Sequence, residues 1–431
     1  MGDAVEPPPS PAAVRWLRRL TIDFSPLRES RDYRSIFIGQ LISLVGRQIT
    51  VVAVPYQVYL LSHSSLAVGS LGLVQLIPYV LCSLVAGTVA DRIDRRILLL
   101  WTQVLLAGCS VLFMAGALAG HPPLWFVYAV AAVAAGISAV DQPARAAAIP
   151  NMVKRSQLAG ALSLNFALYQ TGALAGPAVG GLVIARVGLP VAYGIDVLTF
   201  GAAMVAVFLI SPQIPSGRRQ ESPLQALLGG FAYLRQIPVV MGGYALDLNA
   251  MILSLPRALF PAMALSVYHV GPAGLGLLYA APGVGAVVGS FLSGFIRHLR
   301  HPGRAVLFAV IGWGVSITIF GLLTIALPLA LVFLAVAGGC DAISAIARST
   351  IQQTIAPDRL RGRLSAVGSM VVVGGPYLGD VRAGAVGTAL SPEIATVLGG
   401  AMCLAGCAIV PLAFPQLWSF DIMAGHADAG E

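Results

Sequence analysis

Gly87-Thr88-Val89-Ala90-Asp91-Arg92-Ile93-Asp94-Arg95-Arg96 is a charged interruption between two long apolar runs, at about 66–90 and 97–119. Each flanking run exceeds the ~20 apolar residues that cross a bilayer. A helix apolar all round must be covered by protein or by lipid. The loop therefore reads as the basic cap of a membrane hairpin.

The alternation continues in both directions. Apolar runs fall at about 35–61, 66–90, 97–119, 124–149, 158–184 and 190–211, then at 238–267, 272–296, 304–326, 328–354, 361–386 and 392–414. Of the 431 residues, 57% are hydrophobic and 10% charged, where soluble domains carry about 45–50% and about 25%. The sequence predicts an all-α membrane protein of 12 transmembrane helices in two six-helix pseudo-symmetric bundles. The expected divisions are an N-terminal tail over 1–34, a first bundle over 35–211, a linker over 212–237, a second bundle over 238–414 and a C-terminal tail over 415–431. The linker begins polar, then sets Leu224, Leu227, Leu228, Phe231 and Leu234 on one helical face after Ser222, a plausible cap. That pattern predicts an amphipathic surface helix.

Basic residues set the orientation. With the N-terminus cytoplasmic, the inner segments hold Arg15, Arg18, Arg19, Arg28, Arg31 and Arg34, then Arg92, Arg95 and Arg96, then Lys154 and Arg155. They continue with Arg218, Arg219 and Arg235, then Arg297, Arg300 and Arg304, then Arg359, Arg361 and Arg363. That makes twenty, against Arg186 and Arg382 on the outer side. The net charge of +8 is thus mostly topology, and no nucleic-acid partner is expected. Both termini are expected in the cytoplasm of a cell whose plasma membrane the chain spans.

Lys154 is the one lysine among 26 basic residues. It lies outside any Gly-x-x-x-x-Gly-Lys-Ser/Thr string, so no ATPase motif is present in this chain. The five cysteines sit in apolar runs, and no histidine pair has metal-ligand spacing, so neither a disulfide framework nor a metal site is expected. No catalytic elbow occurs, and neither enzymatic activity nor a cofactor is expected. A shift of 202 residues lays Leu158–Ser163 on Leu360–Ser365 and brings Gly176-Pro177 near Gly375-Pro376, as an internal repeat would.

The string Gly87, Asp91, Arg92, Arg95, Arg96 resembles the cytoplasmic loop signature of the major facilitator superfamily, Gly-x-x-x-Asp-Arg-x-Gly-Arg-Arg, with Asp94 in place of the second glycine. The resemblance implies that Asp91 bridges the halves near Arg361 to Arg363 and latches the outward-facing state. Gly172, Gly176, Pro177, Gly180 and Gly181 resemble the antiporter signature of the exporters in that superfamily. Asp141-Gln-Pro-Ala-Arg145, Val52-Ala-Val-Pro55, Phe260-Pro261 and Pro357-Asp-Arg-Leu-Arg-Gly-Arg363 look like its enterobactin-exporter branch, which also borders multidrug exporters.

Ionisable groups inside the apolar runs are costly and usually face a cavity or a partner. The fold implied by the resemblance lines its cavity with the first, fourth, seventh and tenth helices. These carry Gln40 and Arg47, then Asp141 and Arg145, then Asp247, Asn249 and Arg257, then Asp341 and Arg348. Asp247, Asp341 and Asp141 are the proton-coupling candidates. Arg47, Gln40, Asn249, Arg257 and Arg348 are the substrate-cavity candidates, the arginines suiting anionic groups. Asp141 and Arg145, four apart on one face, also suit a helix-locking pair. Asp196, Asp380 and Arg382 read as outer-gate contacts or helix-end anchors.

These residues predict a monomeric exporter in a bacterial plasma membrane, working by proton antiport and alternating access on a siderophore-like or amphipathic drug-like molecule. An importer on the same fold, and a membrane sensor or scaffold that has lost transport, stay open as alternatives.

Overall fold

A computed structural model describes residues 23–213, 223–292, 294 and 300–421. The long helices are α1 (Arg31–Ser62), α2 (Ser65–Arg92), α3 (Arg95–Leu118), α4 (Leu124–Met152) and α5 (Leu158–Phe208). A surface helix, α6 (Pro223–Leu234), occupies the linker. Then follow α7 (Pro238–Ser254), α8 (Gly271–Leu292), α9 (Pro302–Leu322), α10 (Leu327–Ile355), α11 (Asp358–Ala389) and α12 (Pro392–Ala413). The Ser222 cap lies outside the described residues.

Among the described residues, 11 helical stretches are long and apolar enough to cross a membrane. The outward faces confirm the solvent these helices need. Trp101 is 62% exposed, Leu198 74% and Phe291 84%, exposure that only a lipid surround makes favourable.

The expected count of twelve runs meets its one discrepancy in α5. Its 51 residues would reach ~77 Å as a straight helix, more than twice the ~30 Å of a bilayer core. The element breaks at Gly188, with φ 76° and ψ 174°, a conformation open to glycine alone. Pro190 follows, its missing N–H costing nothing in the first turn of the second arm. A one-residue elbow therefore stands where the apolar pattern suggests a short loop.

The expected run at 238–267 is also interrupted. Leu255 takes φ −69° and ψ 117°, as a residue before proline prefers. After Pro256 the chain continues through a 3-10 turn (Arg257–Leu259), one α turn (Phe260–Ala262) and a π turn (Met263–Val267).

Alternating helices give the molecule two ends. The short-turn end carries His63, Gly188, His269 and Ser391; the basic end carries Arg95, Lys154 and Arg304. Within the first run of helices, α5 packs on α1 and α3, and α4 packs on α2 and α3. Within the second, α10 packs on α8 and α9, while α11 and α12 pack on α7.

Two crossings join the first run to the second, and glycines permit both. On α5 and α8, a Cβ at Gly181 would stand 2.6 Å from the Cα of Gly276. On α2 and α11, a Cβ at Gly69 would stand 3.1 Å from the Cα of Gly384. Both crossings lie toward the short-turn end, where Tyr59 and Ser266 also share a 2.8 Å hydrogen bond.

Candidate transport cavity

A cavity of about 360 Å³ opens between α1, α2 and α4 on one side and residues 257–258, α8 and α11 on the other. Arg47, Thr50, Gln75, Tyr79, Ser138 and Gln142 supply its polar groups from the first run of helices. Arg257, Tyr279, Tyr377 and Asp380 supply them from the second. Between them lie Val51, Val54, Leu71 and Phe113. An apolar wall with a few convergent polar groups is the ordinary make-up of a small-molecule site.

Arg257 and Asp380 form an ion pair in the second-run wall of this cavity. The guanidinium donates through Nη2 to Oδ2, and through Nε to Oδ2 at 3.2 Å and Oδ1 at 3.3 Å. Its carbon also stands 5.7 Å from the centre of the Tyr377 ring, a cation–π distance. Asp380 is buried while Arg257 keeps 38% of its side chain open. Asp380 is therefore a cavity residue as well as a contact near the short-turn end. Arg382, by contrast, donates to the carbonyls of Ile252 and Ala395 and ties α11 to its neighbours.

Arg47 lines the cavity and forms no ion pair or hydrogen bond among the described residues. Its charge reaches two buried carboxylates, Asp141 and Asp196. Asp141 is fully engaged. It accepts from Thr102 at 2.7 Å and Gln103 at 2.8 Å, and pairs with Arg145 at 3.2 Å. All four side chains are buried, which matches the helix-locking reading.

Asp196 corrects its expected place at a helix end. It is 1% exposed, in the interior of the second arm of α5. Its carboxylate accepts from Thr50 at 2.6 Å and Ser110 at 2.8 Å, with Thr199 at 3.5 Å. A Cβ on Gly46 would stand 2.5 Å from its Oδ1, so this glycine makes the room. Apolar surroundings hid the position: its partners lie 146 and 86 residues away in the chain.

A second, smaller cleft holds Asp247, Asp341, Ser344 and Arg348 beside Trp313. Arg348 pairs with Asp247 and donates to Ser344 at 3.3 Å. Asp341 faces the same guanidinium but takes no ion pair or side-chain hydrogen bond among the described residues. Two carboxylates thus share one cation. Tyr244, next along α7, donates to Gln352 at 2.7 Å.

Three expected substrate-cavity residues lie outside the 360 Å³ space, Arg348 in the second cleft and two elsewhere. Asn249 points to α12, donating to the Cys403 carbonyl at 2.9 Å, and its amide fills the space left by Gly406. Two residues on from Asp247, Asn249 presents a different face of α7. Gln40 is buried in α1 and lines neither space, with its amide nitrogen unpartnered.

The charged loop is wired mostly to its own run of helices. Asp94 caps α3 through the Arg96 amide at 2.9 Å and also accepts from the Gln213 amide at 2.9 Å. That double role explains an aspartate where the signature has glycine. Arg95 donates to the Ala147 carbonyl at 2.7 Å, and Arg96 reaches the Phe208 carbonyl and its ring. Gly87 and Arg92 lie in the last turns of α2. The side chains of Asp91 and Arg361 lie outside the described residues, and with them the expected latch.

The small-residue motif of α5 works on two faces. Cβ atoms at Gly172, Gly176 and Gly180 would collide with Leu44, Gln48 and Ile49 of α1. Gly181 and the Pro177 carbonyl meet Gly276 of α8. One motif therefore seats α5 against its own run and against the other.

A family model described as transmembrane secretion effector matches residues 21–426. The enterobactin exporter of Citrobacter koseri is 29% identical over 389 residues, covering 89% of this chain and 91% of that one. Among solved structures, an inward-facing bacterial homologue of the iron transporter ferroportin superposes with a TM-score of 0.67 at 16% identity, covering 90% of this chain and 99% of that one. An inward-facing, unoccupied bacterial homologue of the human lysosomal transporter Spinster gives 0.66 at 15%, covering 92% and 96%.

Proposed function

The chain belongs to the transmembrane secretion effector family of the major facilitator superfamily, and on that footing we propose that it is a proton-driven exporter with twelve membrane helices. The two arms of α5 count as separate spans in this reading. The bundles are 35–211 and 238–414, joined by the linker 212–237. The twenty-to-two distribution of basic residues supports cytoplasmic termini and a bacterial plasma membrane as the location. The short-turn end is then the outer face.

The observation that carries the reading is the 360 Å³ cavity itself, lined from both runs of helices and pinched by glycine crossings toward the short-turn end. A site between two bodies, closed on one side by removable contacts, suits alternating access by rocking. Its mixed wall, with Arg47 and Arg257 among apolar side chains, suits a siderophore-like or amphipathic drug-like cargo.

Proton coupling falls to the cleft of Asp247, Asp341 and Arg348. One guanidinium balances one carboxylate, so the second is the natural place for a proton to come and go. Asp141, locked by Arg145, Thr102 and Gln103, is the weaker of the three coupling candidates.

Membrane vesicles of both orientations test the direction. An exporter drives ethidium or enterobactin into inverted vesicles whose interior is acid. Uptake confined to right-side-out vesicles would mark an importer. No movement in either, under any proton gradient, would mark a sensor or scaffold.

A further inference from the structure

The strongest unassigned group is the buried carboxylate of Asp196. We infer that Asp196 is a proton-binding site of the cavity, entered through the Thr50 hydroxyl, and that its occupancy sets how much of the Arg47 charge a cargo meets. The inference rests on the 360 Å³ space being the transport cavity.

Three observations combine. First, Asp196 is 1% exposed and takes part in no ion pair among the described residues, only in hydrogen bonds from Thr50, Ser110 and Thr199. A buried carboxylate held by neutral donors alone is the arrangement in which a proton and a charge are close competitors. Second, Thr50 belongs to two environments. Its Oγ1 donates to Asp196 at 2.6 Å, while the residue lines the cavity. Third, Arg47 lines the same cavity one helical turn away from Thr50, and its charge reaches Asp196.

The proton step balances through the hydroxyl. A hydronium in the cavity gives a proton to Thr50 Oγ1, which passes its own proton to Asp196 Oδ2. The hydronium becomes water, the hydroxyl is regenerated and the carboxylate becomes a neutral acid. Release runs in reverse. The groups facing Asp196 are Arg47 and Thr50 from α1, Ser110 from α3, and Tyr193 and Thr199 from α5. Tyr193 turns its own hydroxyl to Gln57 at 2.7 Å, so it leaves the carboxylate to the three smaller donors.

The consequence is a switch in cavity charge. With Asp196 ionised, its negative charge offsets part of the positive field of Arg47 in the cavity. With Asp196 protonated, that offset is lost and the cavity is one charge more positive, which repels a cationic cargo and releases it. One added unit charge about 10 Å away, at an effective dielectric of about 20, changes cation affinity by roughly tenfold.

The test uses the full chain in lipid nanodiscs. A pH-difference infrared spectrum should contain a carboxylic-acid band that Asp196→Asn removes and Asp141→Asn keeps. Thr50→Val and Ser110→Ala leave the carboxyl in place and should each shift that band, which keeps the test open if Asp196→Asn fails to fold. Ethidium affinity should fall roughly tenfold from mildly alkaline to mildly acidic solution, and should be weak at both in Asp196→Asn. A band surviving in Asp196→Asn, or unmoved by both hydroxyl variants, overturns the proposal. Proton-independent ethidium transport beside an intact Asp196 band supports this site and refutes antiport.

Discussion

Gly181 on α5 and Gly276 on α8 meet backbone to backbone: a Cβ on the first would lie 2.6 Å from the second's Cα, and a Cβ on the second 2.9 Å from the first's. Neither helix can keep this crossing with a larger residue. Gly276→Val should therefore oppose closure at the short-turn end by about 1–3 kcal/mol, the usual cost of overpacking. Spin labels at Ser64→Cys and Thr388→Cys, whose hydroxyls stand 3.4 Å apart, report the outcome. Their separation should lengthen in the valine variant. An unchanged distance removes the crossing from the gating machinery.

The Arg257–Asp380 pair is half-buried and joins the 3-10 turn after Pro256 to α11 within the second run of helices. Removing one partner strands the other, at about 3–5 kcal/mol for a buried pair. Arg257 keeps some solvent, so Asp380→Asn should cost toward the low end of that range. Arg257→Gln combined with Asp380→Asn should cost less than the sum of the singles. Thermal unfolding through a double-mutant cycle measures the coupling. Additive losses would mean that the pair contributes no stability of its own.

Asp247→Asn and Asp341→Asn should differ. The first leaves Arg348 to pair with Asp341 and should slow proton-driven transport while retaining some coupling. The second leaves a single balanced pair and should uncouple transport from the proton gradient, with counterflow of ethidium intact. Gradient-driven uptake into proteoliposomes separates these results, and wild-type proton dependence in both variants would exclude the cleft.

Asp91→Asn should slow turnover without weakening cargo binding, because the charged loop lies at the end of the molecule remote from the glycine crossings. The measurement is ethidium affinity beside the transport rate. Equal rates in variant and wild type would remove the latch.

The helices were legible because lipid tolerates so few polar residues that each span shows as an apolar run. The break between 158–184 and 190–211 was legible as well, but not that it is a one-residue elbow at Gly188 in place of a loop. The contact role of Gly176 and Gly181 was readable from the spacing of small residues, while their partners Gln48 and Gly276 were not. Side-chain direction was the weakest inference. A helix apolar on every side gives no phase, so Asn249 could not be told from a cavity residue. Asp196 was misread for the same reason. Its hydroxyl donors belong to helices far off in the chain, and a lone aspartate near a turn looks like an anchor.

The elbow at Gly188 has a mechanical meaning. Gly181 lies seven residues before it and Asp196 eight after it, distances of roughly 10 and 12 Å along each arm at 1.5 Å per residue. A hinge with no slack works as a bell crank. If the α5–α8 crossing parts while the elbow holds its angle, the first arm tilts and the second turns with it. The carboxylate on that second arm would then be drawn past Thr50, so the opening of the gate and the register of the proton relay would share one stroke.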